Sequence, residues 1–279
     1  MNEVQHCKSC NNQFQGRYCN QCGEKILDPK ERTLKYFFGQ FINAITFVDR
    51  KFLSGLYQLF FKPGFLASEY ALGRRKKYIQ PLSLFLIANL IYFFYMPFDG
   101  FNSRLISQMN YQQYSPMVQR MVEDKIQQEG ISLEAYKIEY NRRSTNISKL
   151  MLVLLIPLFS LPLSLLFVKH RSLYADHFIF SIYFCSFYLY LMLGLSVVLQ
   201  IAIGLFSLFE VDIGFLFADL PFGIAASILT LWYLTIAIKA FYGGKTYVNI
   251  LKALVLIAAQ FYIFLGYRFL LFLVTFWSG

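Results

Sequence analysis

The sequence predicts an all-α fold: a polytopic transmembrane helical bundle of about five spans, with a small zinc-ribbon-like head at the N-terminus. Three observations predict it: a composition too apolar for a water-soluble core, five long apolar stretches, and a pair of closely spaced CxxC motifs. The chain is 57% hydrophobic and only 15% charged, whereas soluble domains carry about 25% charged residues. A soluble fold of this size has too little interior to hide that much apolar surface.

A membrane-crossing helix needs roughly 20 mostly apolar residues. The stretches 81–98, 150–168, 179–209, 215–241 and 251–277 meet that need with soft edges. The first is bounded by Pro81 and Pro97, and the second contains Pro157 and Pro162. The third is longer than one crossing requires, with Gly194 and Gly204 as candidate bend or close-packing points. These spans belong to a helical domain over 79–279, with a folded extracytoplasmic loop at 99–149. In that loop Ser115-Pro116 reads as a helix start. Met117, Val118, Met121, Val122 and Ile126 share a face, Gly130 stops the helix, and Ser132 caps another.

The formal net charge of +10 is spread unevenly, which points to membrane orientation rather than to nucleic acid as a partner. Residues 1–78 hold 13 Lys and Arg, including Arg74-Arg75-Lys76-Lys77 directly before the first span. The 169–178 and 242–250 connections are basic, while 210–214 has no basic residue and carries Glu210 and Asp212. The positive-inside rule then places the N-terminus in the cytosol and the C-terminus outside the inner membrane. The Arg74–Lys77 run reads as a topogenic signal and as a site for anionic lipid headgroups. Between head and spans, residues 33–78 read as amphipathic interfacial helices: Leu34, Phe37, Phe38, Phe41, Ile45, Val48, Phe52, Leu56 and Leu59 form one stripe. The alternative is that this stripe packs on the protein's own cytosolic face. Pro63-Gly64 ends it.

The strongest chemical signal lies in a head spanning 1–32. Cys7 and Cys10, then Cys19 and Cys22, form two CxxC knuckles eight residues apart. Four thiolates in a reducing compartment predict a structural Zn2+ site rather than disulfides. All four positions are cysteine, so no ligand position is left open for catalysis. His170 and His177 flank a cytosolic turn with Asp176 between them, and Arg268 lies inside the last span. These are the candidate functional polar residues. Arg268 either snorkels or pairs with Glu210, Asp212 or Asp219. No P-loop, dinucleotide fingerprint, HExxH or GxSxG occurs, and no catalytic set is assigned.

The chain resembles a bacterial family of uncharacterised integral membrane proteins with an N-terminal zinc-ribbon-like head. The matching elements are CKSC and YCNQCGE within 7–24, KPGFLASEYALGRRKKYIQPLSLF at 62–85, LYADHFIFSIYF at 173–184 and IKAFYGGKTYVNILKA at 238–253. It departs from the family pattern after His177, where Tyr183 and Cys185 stand in place of further histidines. The resemblance implies architecture and no activity. The expected function is a scaffold, assembly factor or regulator whose head docks a cytosolic partner. The alternatives are a transporter of a small solute or lipid, and an intramembrane enzyme acting on lipid through His170, Asp176 and His177.

Overall fold

The computed structural model describes residues 4–24, 51–95, 101–168, 173–208 and 219–278. The expected stripe from Leu34 to Val48 lies outside the described residues, as do His170, Glu210 and Asp212 and the side chain of Asp219.

The head carries two antiparallel two-residue strands, β1 (Gln5–His6) and β2 (Gln13–Phe14). Helices α1 (Lys51–Phe61) and α2 (Phe65–Ala71) follow, separated by the Pro63-Gly64 turn. Gly64 sits at φ 79°, and a Cβ there would lie 2.5 Å from the Ala237 carbonyl oxygen. Only glycine satisfies both the left-handed backbone and that approach. α1 buries Gly55 and Leu59 and leaves Leu53, Tyr57 and Phe61 exposed on the opposite stripe.

Four helices are long and apolar enough to cross a membrane: Leu133–Leu166, Tyr174–Ser207, Pro221–Tyr242 and Thr246–Trp277. The protein is therefore a multi-pass membrane protein, with α3 (Pro81–Tyr95) as a fifth, shorter apolar helix. Its 15 residues reach about 22 Å, less than the ~30 Å of hydrocarbon. The end of the expected 81–98 span falls at residues 96–98, outside the described set.

The 99–149 segment folds into α4 (Leu105–Asn110), α5 (Ser115–Glu129) and α6 (Leu133–Met151). Pro116 occupies the first turn of α5, Gly130 ends it in the left-handed region, and Ser132 Oγ accepts from the Ala135 N–H. Val118 and Val122 are fully buried, while Met117 on the expected face stays exposed. The loop is not separate from the second span, because α6 runs through a 3-10 turn (Leu152–Leu154) into α7 (Leu155–Leu166). Proline lacks the N–H that an α-turn would use, so Pro157 leaves the Val153 carbonyl without its helical donor. The tighter turn lies there.

α8 (Tyr174–Ser207) is one unbroken helix of 34 residues. From Ala175 to Leu193 it is buried almost all round, packed by α1, α2, α3, α7 and α9 (Asp219–Tyr242). Beyond Gly194 it exposes Val197, Val198, Ile201 and Leu205. Among the described residues nothing lies within 4 Å of a Cβ built at Gly194 or Gly204, so neither is a close-packing point among them. α10 (Thr246–Trp277) closes the bundle. Its far end, at Phe272 and Phe276, packs with Leu105, Val118, Val122, Tyr136 and Tyr140 into a second core beneath the lid formed by α4–α6.

Gly64→Ala is expected to lower the melting temperature of the detergent-solubilised protein by several degrees, since it adds both backbone strain and a backbone clash. Gly194→Ala is expected to match or exceed the wild type, because a helical glycine in open space only weakens its helix. Parallel thermal melts check both.

Candidate metal centre and its docking turn

The two knuckles are near copies of each other. In the first, the Asn11 N–H donates to the Cys7 carbonyl (2.9 Å) and the Cys7 N–H to the Asn12 carbonyl (2.9 Å). In the second, Gly23 N–H donates to the Cys19 carbonyl and Cys19 N–H to the Glu24 carbonyl, both at 2.8 Å. Each tight turn needs a left-handed residue, supplied by Asn11 (φ 63°) and Gly23 (φ 68°), types that tolerate it.

The knuckles bring the four Sγ atoms of Cys7, Cys10, Cys19 and Cys22 within 4.8 Å of one another. Cys7 and Cys22 approach to 3.4 Å, and Cys10 and Cys19 to 3.5 Å. Metal–sulfur bonds of ~2.3 Å in a tetrahedron require sulfur–sulfur spacings of about 3.8 Å, so the donor set fits a metal ion. Backbone N–H groups aim at the sulfurs: Asn12 at Cys10, Cys22 and Gln21 at Cys19, Glu24 at Cys22. The Cys22 N–H, ahead of every other cause, lowers the Cys19 thiol to about 6. The Glu24 N–H also favours a Cys22 thiolate, but desolvation and the neighbouring thiols outweigh it and raise Cys22 to about 12. Four thiolates this close repel one another, and a cation among them removes the conflict.

The head does not hang free. Glu24, 6% exposed, sends its carboxylate into the turn between α2 and α3. Its Oε1 accepts from the Arg75 N–H (3.3 Å) and its Oε2 from the Lys76 N–H (3.1 Å). Ser9, inside the first knuckle, donates to the same Oε2 at 2.7 Å. Arg74 donates through Nε to the Lys8 carbonyl at 2.8 Å and through Nη1 to Glu69 at 2.6 Å. That carboxylate holds the Arg74 guanidinium above its ordinary value. Arg75 lies over the Tyr70 ring at 4.7 Å, and Lys77 over Tyr78 at 5.6 Å. Lys51, at the start of α1, donates to the Lys76 carbonyl at 2.7 Å. The basic run is therefore a docking turn for the head. The sequence pattern revealed its charge but not Glu24, whose partners lie 51 and 52 residues away. The available signal was the acidic residue two positions past Cys22.

His177 is buried on α8, with Nδ1 2.8 Å from the Tyr242 hydroxyl. The Tyr242 ring stacks on Phe167 at 3.9 Å, and Lys252 Nζ lies 4.0 Å from the Phe167 centroid. Asp176 beside it is buried as well. Arg268 Nε and Nη2 each reach Ser103 Oγ at 3.4 Å, beside the lid. Its expected acidic partners fall outside the described side chains. One cavity between α3, α7, α8 and α10 holds about 30 Å³ and is lined by aromatic and aliphatic groups, with Cys185, Tyr188 and Gln260.

Residues 49–93 match a family model described as "Protein of unknown function (DUF3667)". That stretch holds α1, α2, the docking turn and most of α3. No curated protein and no solved structure matches the chain.

Cys22→Ser is expected to abolish the roughly one metal ion per chain that a single four-thiolate site would hold, while Cys185→Ser retains it. Elemental analysis of the purified full chain checks both. Acidification is expected to release the ion, because protons compete for the thiolates.

Proposed function

We propose that this protein is a non-enzymatic scaffold, assembly or regulatory module of the inner membrane, whose zinc-bearing head recruits a cytosolic protein. The observation that carries the reading is the head's fixed seat on the membrane domain through Glu24 and Arg74. A head seated that way presents a defined face.

Zinc is the metal because an all-sulfur, four-ligand set in a reducing compartment suits it best. A closed set of this kind stabilises a fold and leaves no position for a substrate. On the segment between the knuckles Gln15, Gly16, Arg17 and Tyr18 are exposed. Arg and Tyr are the side chains that most often anchor protein interfaces. The basic end of the bundle, with Arg74–Lys77, Lys239 and Lys245 on the head's side, faces the cytosol by the positive-inside rule. The lid faces the other compartment. Lys76 and Lys77 are exposed and are available to anionic lipid headgroups. In α1 the exposed Leu53, Tyr57 and Phe61 suit an interfacial position beside them.

A photo-crosslinking residue at position 18 of the full chain in cells is expected to capture one defined cytosolic protein. Cys22→Ser or Arg17→Ala should reduce that product at least about tenfold, the equivalent of one interface anchor. A chain without residues 1–32 that fully complements loss of the protein would overturn the reading.

A further inference from the structure

The Glu24 carboxylate occupies a site whose other members are all suited to hold an anion. Two consecutive backbone N–H groups, of Arg75 and Lys76, converge on it. Of the basic side chains, Lys76 is placed over the site, its Nζ folding back over the knuckle 2.1 Å from where a Gly23 Cβ would stand. Beside it Arg74 holds Lys8 and Glu69, and Arg75 and Lys77 lie over Tyr70 and Tyr78. Successive N–H groups with flanking Arg and Lys form the common protein receptor for phosphate. A carboxylate offers two anionic oxygens, as does a phospholipid phosphodiester, so Glu24 fills the receptor as a smaller, tethered anion.

We propose that the Arg74–Lys77 turn is a phosphate-binding site for a phospholipid headgroup or free phosphate, and that Glu24 occupies it as a built-in surrogate while the head is folded. Glu24 is held there by the knuckles themselves. Its carbonyl closes the second knuckle through the Cys19 N–H, and Ser9 of the first knuckle grips its carboxylate. Loss of the metal loosens both knuckles, withdraws the surrogate and opens the turn to the competing anion. The turn is in turn coupled to the core: Tyr183 on α8 donates to the Ile79 carbonyl at 3.1 Å, just past the basic run. The proposal requires a folded head on the turn and is independent of which protein the head recruits.

The test reads the Arg75 and Lys76 amides directly, by residue-resolved hydrogen exchange on the full chain in nanodiscs. In wild type with its metal, both amides are expected to be protected in neutral phosphatidylcholine without phosphate. Glu24→Ala and Glu24→Gln are each first checked for metal content equal to wild type, which shows the head intact. In phosphate-free phosphatidylcholine they should exchange at least about tenfold faster at these two amides, the scale of one lost charge-assisted hydrogen bond. Protection should then return in phosphatidylglycerol nanodiscs if the headgroup is the ligand, or with added inorganic phosphate if the free anion is. Two results overturn the proposal: both variants stay protected without any anion, or both become exposed and neither anion restores protection.

Discussion

The main-chain carbonyl is the group around which this helical domain is arranged. Hydrocarbon offers it no donor, so carbonyls left open where a helix stops or tightens need one from the protein, and some carbonyls already bonded within a helix take a second. The buried polar side chains supply these donors. Tyr183 and Tyr190 on α8 donate to the Ile79 and Leu84 carbonyls at the start of α3. Asn89 reaches the Lys149 carbonyl beside the 3-10 turn, and Asn249 the Gly243 carbonyl where α9 ends. Tyr267 closes Phe101, Gln108 reaches Arg268, and Lys125 caps the end of α10 at Phe276. Asn89 thereby spends its amide N–H on the fold, while its buried Oδ1 has no hydrogen-bond partner among the described residues. Gln200 in turn accepts from the Tyr95 hydroxyl across the bundle.

What could be read from the sequence follows from how local each signal is. The head rests on spacings of three and nine residues, and the four cysteines come together as that spacing requires. The lid helices rest on Pro116, Gly130 and Ser132, each acting within a turn of itself, whereas Ser115, read as the cap, is already helical behind Tyr114 and its hydroxyl donates to the Gln108 carbonyl instead. The helical spans rest on composition alone, which is why their existence was plain and their ends were not. The apolar signal is lost where α6 becomes polar, although the helix continues through Leu152–Leu154 without a break. No one-dimensional pattern marks that continuity.

The contacts between distant segments were not legible. Nothing in the order of residues places Glu24 on the Arg75 and Lys76 amides, or His177 against Tyr242. The Arg74–Lys77 run is the instructive case. Its charge was visible and gave a topogenic reading, which accounts for the side chains and says nothing of the main chain between them. The structure adds the N–H groups of Arg75 and Lys76. A basic run directly before a membrane helix has to leave the helical state somewhere, and the amides released there need acceptors. Glu24 supplies one, so the same turn that sets orientation also seats the head.

Helix length explains the placement of Arg268. α10 has 32 residues, about 48 Å, against a hydrocarbon thickness of ~30 Å. The excess has to leave the membrane at one end or both. At the lid end, Phe269, Phe272, Leu273 and Phe276 of α10 pack beneath α4, α5 and α6, whose outer faces carry Glu123, Asp124, Glu134, Glu139 and Arg142, while Leu270 and Val274 stay exposed on the other side. Such a charged shell does not suit lipid, so on the lid side these turns are packed by protein rather than by hydrocarbon. From Thr246 to Arg268 the rise is about 34 Å, longer than the ~30 Å hydrocarbon core, so the guanidinium sits towards the lid end of the helix. There it meets Ser103 at 3.4 Å, a partner supplied by the lid for a charge that is costly in hydrocarbon. The aromatic residues that follow it belong to a helix long and apolar enough to span a membrane, and a helix face covered by protein is as apolar as one covered by lipid.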